Sequence, residues 1–298
     1  MNSTNNTSGT SKPEKAMGYH GGGVDTIISV EDVVREVEKI SEHGPTKDEL
    51  AQLIKGDSYV TIDNLRAGYG KMEILHDFNL QIGTGQSLCL IGPNGAGKST
   101  ILHSIFGFTN IFSGNIYVGT GTDKKDITNQ TSSEKLSSAG IAYILQDKSV
   151  FPGMTVEENL WMGGYLMESQ QQAKEAAEKV FDKYSRLAER RTHTAGVLSG
   201  GERRLLEISR ALVMEPEVLL VDEPSIGLEP RFIDMVFEIL DDLQHNEGKT
   251  IIMVEQNAKK GLEFADIGYV LVSGHIAIAG PGKELLENPQ VGRLFLGG

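Results

Sequence analysis

The stretch Gly92-Pro93-Asn94-Gly95-Ala96-Gly97-Lys98-Ser99-Thr100 decides the fold of this chain. It fits the pattern Gly-x-x-x-x-Gly-Lys-Ser, and it lies between a predicted strand at residues 87–91 and a predicted helix at residues 100–106. Glycines let the backbone curl so that successive N–H groups and the helix N-terminus point to one place, which suits the phosphates of a nucleotide. Lys98 adds a cation there, and Ser99 adds a hydroxyl for Mg²⁺. The stretch therefore predicts a nucleotide-binding phosphate loop.

Strand-like and helical runs alternate around this loop. Near-continuous apolar strands such as Val218-Leu219-Leu220-Val221 indicate a mainly parallel sheet that is buried on both faces. A polar stretch at residues 168–191, within a helical region at 153–196, predicts an exposed helical subdomain. The remaining predicted strands are 59–65, 74–82, 116–118, 141–146 and 250–254, with helices at 230–245 and 258–265 and a hairpin of 269–273 with 275–279.

A second chemical element follows the apolar run at residues 218–221, where Asp222 and Glu223 come at the end of the predicted strand. Ligand crevices of open α/β sheets lie at that end of the strands. Asp222 is placed to hold Mg²⁺ through water, and Glu223 points to the other side and is placed to polarise an attacking water. Without the phosphate loop, an apolar strand that ends in Asp-Glu would indicate only that the end of the strand is exposed to solvent. Its combination with the phosphate loop favours the catalytic interpretation.

A third element is Leu198-Ser199-Gly200-Gly201-Glu202, which leads into a predicted helix at residues 203–213. Ser199 and Glu202 have the spacing of a capping box, so one interpretation is an ordinary helix start. Two adjacent glycines raise the entropy cost of ordering, however, while they expose N–H groups to an anion. The chain would then contain two anion-ready helix starts, which is redundant for one phosphate group.

Composition limits the classes of protein that fit. The chain has 298 residues and a net charge of −13, the wrong sign for a broad nucleic-acid surface, so we expect no nucleic-acid partner. Cys89 is the only cysteine, which excludes an intrachain disulfide and favours a reducing compartment. No apolar run approaches 18 residues and the N-terminus lacks a signal-peptide core. These features predict a soluble cytoplasmic protein whose membrane role, if it has one, comes through a partner.

The three elements, in this order and spacing, resemble the nucleotide-binding subunits of ABC transporters, over residues 57–298. The family's signature loop reads Leu-Ser-Gly-Gly-Gln, and this chain has Glu202 in the last place. The resemblance implies an α/β P-loop NTPase fold of ABC type: a mainly parallel core sheet, an antiparallel β subdomain and an inserted helical subdomain at about residues 152–215. It also implies hydrolysis of ATP with Mg²⁺. In such proteins the signature of one protomer (here residues 199–202) closes over ATP that another protomer holds, which implies a second ATPase subunit, identical or different.

Other positions are interpreted through the same resemblance. Tyr69 matches the aromatic residue that stacks on adenine, and Gln146 matches the glutamine that senses Mg²⁺ and links the site to the helical subdomain. Gln256 occupies the catalytic switch position, where most members have histidine, and Glu229 stands where most have aspartate. Gln256 can donate a hydrogen bond but cannot exchange a proton. One interpretation is therefore that this chain is the less active half of a heterodimer.

Finer variants, such as Met154-Thr155-Val156-Glu157-Glu158-Asn159-Leu160 and Val254-Glu255-Gln256-Asn257-Ala258, resemble ATPase subunits of branched-chain amino-acid importers. This resemblance implies two transmembrane permease subunits, an extracytoplasmic substrate-binding protein and a peripheral location at the cytoplasmic face of the plasma membrane. A permease helix would dock near residues 155–165. The apolar candidates there, which packing within the subdomain would equally explain, are Trp161, Met162, Tyr165 and Met167.

Three alternatives stay open at this point. The importer could carry urea or short amides, because substrate choice belongs to the binding protein and permease. A soluble ABC ATPase of translation or repair would need basic surfaces and usually paired motifs, which this acidic chain with one motif set lacks. A non-hydrolysing regulatory module fits poorly with the intact Lys98, Asp222 and Glu223, although Gln256 leaves room for it.

Residues 1–56 have no counterpart in the family pattern and are predicted to be an N-terminal extension with a disordered tail and short helices. Of the first 23 residues, 14 are Asn, Ser, Thr or Gly, too polar to offset the entropy of ordering, and Met17 is a possible start. A helical pattern begins at Ser29 and stops at Gly44-Pro45. A second short helix is predicted at residues 46–55, where Thr46 and Glu49 have capping-box spacing.

Overall fold

The computed structural model describes residues 44–146 and 149–295. Its main sheet has six strands in the order β10-β9-β3-β8-β7-β6. All neighbouring strands pair in parallel except β10, which pairs antiparallel with β9 at one edge. The strands are β3 (Ser87–Ile91), β6 (Ile141–Ile144), β7 (Val218–Asp222), β8 (Thr250–Val254), β9 (Ile267–Val272) and β10 (His275–Pro281).

A second, four-stranded sheet has the order β2-β1-β4-β5 and is antiparallel throughout. Its strands are β1 (Ser58–Tyr69), β2 (Met72–Gly83), β4 (Asn110–Val118) and β5 (Lys125–Asp126). The two sheets confirm the predicted combination of a mainly parallel core sheet with an antiparallel β subdomain.

Eleven helices connect and cover the sheets in the described residues. They are α1 (Lys47–Ala51), α2 (Lys98–Phe106), α3 (Ser132–Ser137), α4 (Val156–Gly163), α5 (Gln170–Lys183), α6 (Ser185–Glu189), α7 (Gly200–Leu212), α8 (Pro230–His245), α9 (Ala258–Phe264), α10 (Gly282–Glu287) and α11 (Pro289–Phe295). None of these helices is long and apolar enough to cross a membrane.

The parallel strands are buried because other layers cover both of their faces. In β3, Leu88 and Leu90 belong to a core cluster shared with the antiparallel sheet, whereas Cys89 and Ile91 belong to a cluster shared with helices on the other face. Successive side chains of a strand point to opposite faces, so an all-apolar strand suits two buried faces. The short apolar runs of the sequence therefore form the central strands of the molecule, buried between two layers.

The helical region has a core of its own. Leu160 of α4, Ala177 and Phe181 of α5, and Leu206 of α7 are all buried in one cluster. Helix α5 is polar except for a stripe of small and apolar side chains, which matches the predicted exposed helical subdomain. Helix α7 also contacts β6, so it joins this region to the main sheet.

Several element boundaries differ from the sequence prediction. The strand predicted at 141–146 ends at Ile144, so Gln146 lies two residues beyond it and does not end the strand as predicted. The helix predicted at 203–213 begins at Gly200, because Ser199 caps it there. The helix predicted at 100–106 begins at Lys98. Helix 230–245 and strand 250–254 are confirmed at both ends.

The segment before β1 packs against the domain. Thr46 and Glu49 form the predicted capping box, but the helix is shorter than predicted and ends at Ala51. Leu50 is buried in the core cluster, and the Lys55 N–H donates to Gln86 Oε1 at 2.8 Å. The domain boundary at residue 56 stays a prediction. Met17, the helical pattern from Ser29 and the closing Leu296-Gly297-Gly298 lie outside the described residues.

Candidate active site

The phosphate loop runs from the end of β3 into α2, as its pattern requires. Gly92 passes so close to β9 that a Cβ there would lie 2.3 Å from the Leu271 carbonyl oxygen. Gly97 is the N-cap of α2 with a left-handed φ of 96°, and no side chain caps this helix. The uncapped N–H groups at the start of α2 are therefore available to an anion, which is the property the sequence predicts.

Lys98 lies across the loop. Its Nζ donates to the carbonyl oxygens of Gly92 at 2.8 Å and Pro93 at 3.0 Å. Burial lowers the pKa of the Lys98 ammonium, while the nearby charges of Glu223 and Asp222 oppose that shift. The cation is thus held at the helix N-terminus with two acidic side chains near it, where a phosphate group would replace main-chain carbonyls as its partner.

Asp222 receives hydrogen bonds at both carboxylate oxygens. Ser99 Oγ donates to Oδ1 at 3.2 Å, and the Tyr143 hydroxyl donates to Oδ2 at 2.8 Å. Burial raises the pKa of Tyr143, so its hydroxyl stays a donor. Sequence reasoning did not find Tyr143. No local pattern indicates Tyr143, because its contact with Asp222 depends on the pairing of β6 with β7, which places Tyr143 opposite Leu220.

Glu223 forms a pair with Gln146, whose Nε2 donates to Glu223 Oε2 at 2.7 Å. The backbone of Glu223 is left-handed, with a φ of 44°, and its N–H donates to the Val254 carbonyl at 2.9 Å. Such a conformation is costly for a non-glycine residue, so the surrounding contacts must hold Glu223 in it. Burial, and secondly the charge of Asp222, raise the pKa of Glu223. A raised pKa suits a carboxylate that accepts a proton near neutral pH.

Gln256 lies at the same edge of the sheet, two residues beyond β8, and its side chain is exposed. The preceding Glu255 is buried and holds two loops together. Its Oε1 accepts from Ser225 Oγ at 2.7 Å and from the Asn257 N–H at 2.8 Å. Glu255 therefore joins the loop after Glu223 to the loop that carries Gln256. In the sequence, Glu255 stands out only as part of the motif Val254-Glu255-Gln256-Asn257-Ala258, and no local pattern predicts its role.

Tyr69 lies at the end of β1 and is 42% exposed. Its hydroxyl hydrogen-bonds to His103 Nδ1, and His103 packs edge-on against Phe108 and Tyr143. The pKa of His103 is lowered by burial, so the ring favours its neutral form. An exposed aromatic ring fixed at its hydroxyl end leaves a face on which a base can stack.

The signature segment is built differently from the phosphate loop. Ser199 caps α7 through the Glu202 N–H, and Glu202 Oε2 accepts from the Ser199 N–H at 2.9 Å and from Ser199 Oγ at 2.8 Å. A Cβ on Gly201 would lie 2.1 Å from the Phe232 ring, whereas a Cβ on Gly200 would meet only Leu228 at 3.8 Å. Helix capping thus accounts for the presence of Ser199 and Glu202, and packing against Phe232 accounts for Gly201. At Gly200, by contrast, the structure leaves room for a side chain.

The structure does not join the two glycine-rich segments. No hydrogen bond or ion pair among the described residues links positions 199–202 to positions 92–100. By contrast, Lys98, Ser99, Gln146, Asp222 and Glu223 are connected by contacts or by mutual electrostatics. Five of the predicted site residues therefore form one assembled group, whereas the signature segment is separate from it, and Tyr69 and Gln256 lie outside both.

The residues present fit a magnesium ion only together with phosphate. No group of three or more His, Cys, Asp or Glu side chains in the described residues can hold a metal ion by itself. Ser99 and Asp222 supply an oxygen pair, however, and Mg²⁺ in nucleotide sites takes one or two protein carboxylates plus phosphate oxygens and water. A metal ion here would thus depend on the nucleotide.

Comparison with known proteins agrees with this geometry. Residues 75–226 match the family model described as ABC transporter. The high-affinity branched-chain amino acid transport ATP-binding protein BraG of Pseudomonas aeruginosa is 40% identical over 240 residues, which covers 80% of this chain and 100% of that protein. A probable branched-chain amino acid transport ATP-binding protein LivF of Archaeoglobus fulgidus is 37% identical over 233 residues, covering 78% and 96%.

Solved structures give the same result. The crystal structure of the ADP conformation of an ATP-binding cassette of an ABC transporter superposes with a TM-score of 0.70 at 30% identity, covering 82% of this chain and 100% of that chain. A nucleotide-free cassette from an ABC transporter also gives a TM-score of 0.70, at 28% identity over 81% and 100%. The predicted family and fold are confirmed: this chain belongs to the ABC transporter family and is an ATP-binding, ATP-hydrolysing cassette of that family.

Proposed function

We propose that this chain powers a membrane importer for branched-chain or related amino acids, by hydrolysing Mg-ATP bound at the phosphate loop. The observation that carries the catalytic part is the convergence of Lys98, Asp222 and Glu223 at the carboxyl edge of one parallel sheet. The substrate class rests on the two relatives whose names state branched-chain amino acid transport.

In this proposal different residues of the chain bind the nucleotide and activate the attacking water. Lys98 and the N-terminus of α2 bind the phosphates, and Tyr69 stacks on the adenine. Glu223 accepts a proton from the attacking water, and Gln146 orients the Glu223 carboxylate through their hydrogen bond. Gln256 donates an amide hydrogen bond toward the terminal phosphate. A bound Mg²⁺ neutralises phosphate charge, and Ser99 and Asp222, with Gln146 nearby, are the residues that would hold it.

The separate signature loop supports a second ATPase subunit as partner. Ser199, Gly200, Gly201 and Glu202 would close over the nucleotide that the partner holds, because they do not contact the chain's own phosphate loop. Gly200 has the open space that a close approach of phosphate needs. The partner is a second copy of this chain or a sister subunit.

Two transmembrane permease subunits would dock beside α4. A groove of about 320 Å³ lies between the β6 edge and the helical region, lined by Tyr143, Met162, Tyr165 and Arg210 among others. Tyr165 is 76% exposed and Met162 is 38% exposed, as docking requires, whereas Trp161 and Met167 pack partly against the helical core. The chain would then lie peripherally at the cytoplasmic face of the plasma membrane and receive substrate signals from an extracytoplasmic binding protein through the permeases.

The catalytic proposal is tested by trapping the nucleotide. Glu223→Gln should bind ATP with Mg²⁺ and hydrolyse it at least about 100-fold more slowly, since one preorganised group commonly contributes that much. Lys260→Gln, which breaks an exposed ion pair with Asp234, is the control and should keep wild-type turnover. Unchanged turnover in Glu223→Gln would show that another group activates the water.

The substrate is tested by transport. Proteoliposomes that contain the chain with candidate permeases and binding protein should accumulate leucine, isoleucine or valine when ATP is present at the chain's side. Uptake of urea or a short amide in place of these amino acids would support the alternative importer. Tyr165→Ala should lower uptake while ATP hydrolysis by the isolated chain stays within about twofold, because Tyr165 lies outside the nucleotide site.

A further inference from the structure

Arg204 is a buried arginine on α7 that no part of the proposed mechanism uses. The residue is 4% exposed, and one terminal guanidinium nitrogen, Nη1, donates to the Leu145 carbonyl at 2.8 Å and to Glu207 Oε2 at 2.9 Å. The other nitrogen, Nη2, reaches the Asp222 carbonyl at 3.5 Å, the outer limit of a hydrogen bond. Arg204 therefore connects helix α7 to the ends of both β6 and β7.

These two carbonyls have a particular place in the chain. Leu145 directly precedes Gln146, and Asp222 directly precedes Glu223. The side chains of Gln146 and Glu223 meet at 2.7 Å. Arg204 thus fixes the main chain on each side of the hydrogen bond that orients the carboxylate. A planar guanidinium can reach both carbonyls at once, whereas a lysine ammonium is a single point of contact.

Stability alone is a weak reason for this arrangement. A buried ion pair such as Arg204–Glu207 has a desolvation cost that its attraction only roughly offsets. In addition, Arg204 Nε has no hydrogen-bond partner among the described residues, although it is buried. An unsatisfied buried donor is unfavourable. A well-packed apolar side chain would serve stability at least as well.

Helix α7 also begins at the signature segment. Arg204 follows Ser199 by five residues, about one and a half turns, so it moves with the helix N-terminus as part of one rigid element. We infer that Arg204 is a positioning residue that couples the location of the signature end of α7 to the alignment of Gln146 and Glu223. This inference rests on the proposed role of Glu223, and it adds a route by which closure of the signature over a partner's nucleotide adjusts the chain's own catalytic pair.

A double-mutant cycle tests the coupling. Arg204→Lys should lower kcat for ATP about tenfold and change KM for ATP by less than about twofold, because Arg204 is buried and its hydrogen bonds go to Leu145, Glu207 and Asp222 rather than to the phosphate loop. In a Gln146→Ala background, Arg204→Lys should cost less than about a further twofold, since the pair it positions is already broken. If the two losses multiply instead, Arg204 acts independently of Gln146 and the inference is overturned.

Two further variants keep the test decisive. Glu207→Gln leaves Arg204 in place but weakens the ion pair that holds its guanidinium. It should therefore lower kcat less than Arg204→Lys does, and its loss should also shrink in the Gln146→Ala background. This variant replaces Arg204→Lys if Arg204→Lys shows no cooperative melting transition. Arg191→Lys, which disturbs the ion pairs with Glu157 and Glu178 in the helical region, is the matched control and should leave kcat within about twofold. Multiplicative losses while Glu223→Gln is inactive would overturn only the Arg204 inference. An active Glu223→Gln would instead overturn the proposed role of Glu223 as the group that activates the water.

Discussion

The starts of helices α2 and α7 are both rich in glycine, yet they present different surfaces to a ligand. Helix α2 begins after Gly97, which has no side chain to cap it, and Lys98 crosses the loop in front of its N–H groups. Helix α7 begins after Ser199, and its first turn is closed by the reciprocal bonds of Ser199 and Glu202. The first start has uncapped N–H groups and a lysine beside them, and the second is capped by its own serine and carboxylate.

This difference shows that glycine content does not by itself define an anion site. The pKa of Glu202 is lowered by its bonds from Ser199, so the carboxylate is charged near neutral pH. It partly neutralises the N-terminus of α7, whose partial positive charge would otherwise attract phosphate. We therefore expect the α2 start to bind a nucleotide in the isolated chain and the α7 start to contribute only when a partner supplies a nucleotide already held elsewhere.

The largest expected effect comes from breaking the α2 start. Lys98→Ala removes the ammonium that lies across the loop at the start of this helix, and it should reduce hydrolysis at least about 100-fold. Steady-state turnover and ATP titration of the purified chain check this expectation. The corresponding change at the other helix, Arg203→Ala, should reduce turnover much less, because the hydrogen bond of Arg203 within the described residues goes to the Leu198 carbonyl. Comparable losses from both would contradict the distinction.

The two adjacent glycines of α7 allow a matched comparison. Gly201→Ala places a methyl group against the Phe232 ring and should destabilise the fold by about 1–3 kcal/mol, the usual cost of overpacking. Gly200→Ala meets only Leu228 at van der Waals distance and should leave stability equal or raise it by up to about 1 kcal/mol, because alanine favours helix. Chemical denaturation measures both. Equal effects would mean that Phe232 moves aside freely.

A buried lysine lies near the C-terminal half of α2 and adds a pH-dependent contribution to stability. Beyond α2, the fully buried Lys135 donates to the Ser104 carbonyl at 3.4 Å, and burial lowers its pKa to about 8. Burial of the charged ammonium therefore lowers the free energy of unfolding. This cost is absent above the unfolded pKa of about 10.4, where Lys135 is neutral in both states, and it is fully present once the pH has fallen through about 8.

Lys135→Met should therefore raise Tm at pH 7 by a few degrees, about 2–4 °C for each kcal/mol gained, and the gain should disappear toward pH 10. Thermal melts across this pH range check the prediction. Lys179→Met is the control, because Lys179 is exposed and pairs with Glu215 at the surface. A pH-independent gain in Lys135→Met would show that packing, rather than charge, is responsible.

The smallest expected effect concerns the charge at the α7 start. Glu202→Gln keeps a hydrogen-bond acceptor for Ser199 but removes the negative charge, and should destabilise the fold by about 0.3–1 kcal/mol through the lost helix-dipole interaction and the lost ion pair with Arg190. The same change should favour ATP-dependent association with a partner ATPase subunit by about 2–5-fold at low salt, since one repulsion of phosphate is removed. Sedimentation at two salt concentrations measures it, and weaker association would show that the carboxylate contributes attraction.

Local chemistry made part of this site predictable. The phosphate loop, the strand before it and the Asp222-Glu223 end of β7 are each contained in a short run of residues, and their predicted places are confirmed. The capping box at Ser199 is likewise a property of four consecutive residues. These features depend only on neighbours along the chain.

Other features depend on which strands and helices become neighbours in space. Tyr143 reaches Asp222 only because β6 pairs with β7, and Phe232 excludes a side chain at Gly201 only because α8 packs on α7. Arg204 was also unpredictable, since the carbonyls it binds lie 59 and 18 residues away. The end of β6 at Ile144 was missed because Leu145 continues the apolar run of the strand without belonging to the ladder.

Calorimetric titration of ATP with Mg²⁺ into dilute Glu223→Gln chain most directly tests whether the two helix starts serve different nucleotides. The account predicts one ATP per chain, loss of binding when Lys98→Ala is added, and a Kd within about twofold when Gly200→Asp is added instead, because Gly200 has room for a side chain. Two ATP per chain, or equal loss of binding from Gly200→Asp, would contradict it.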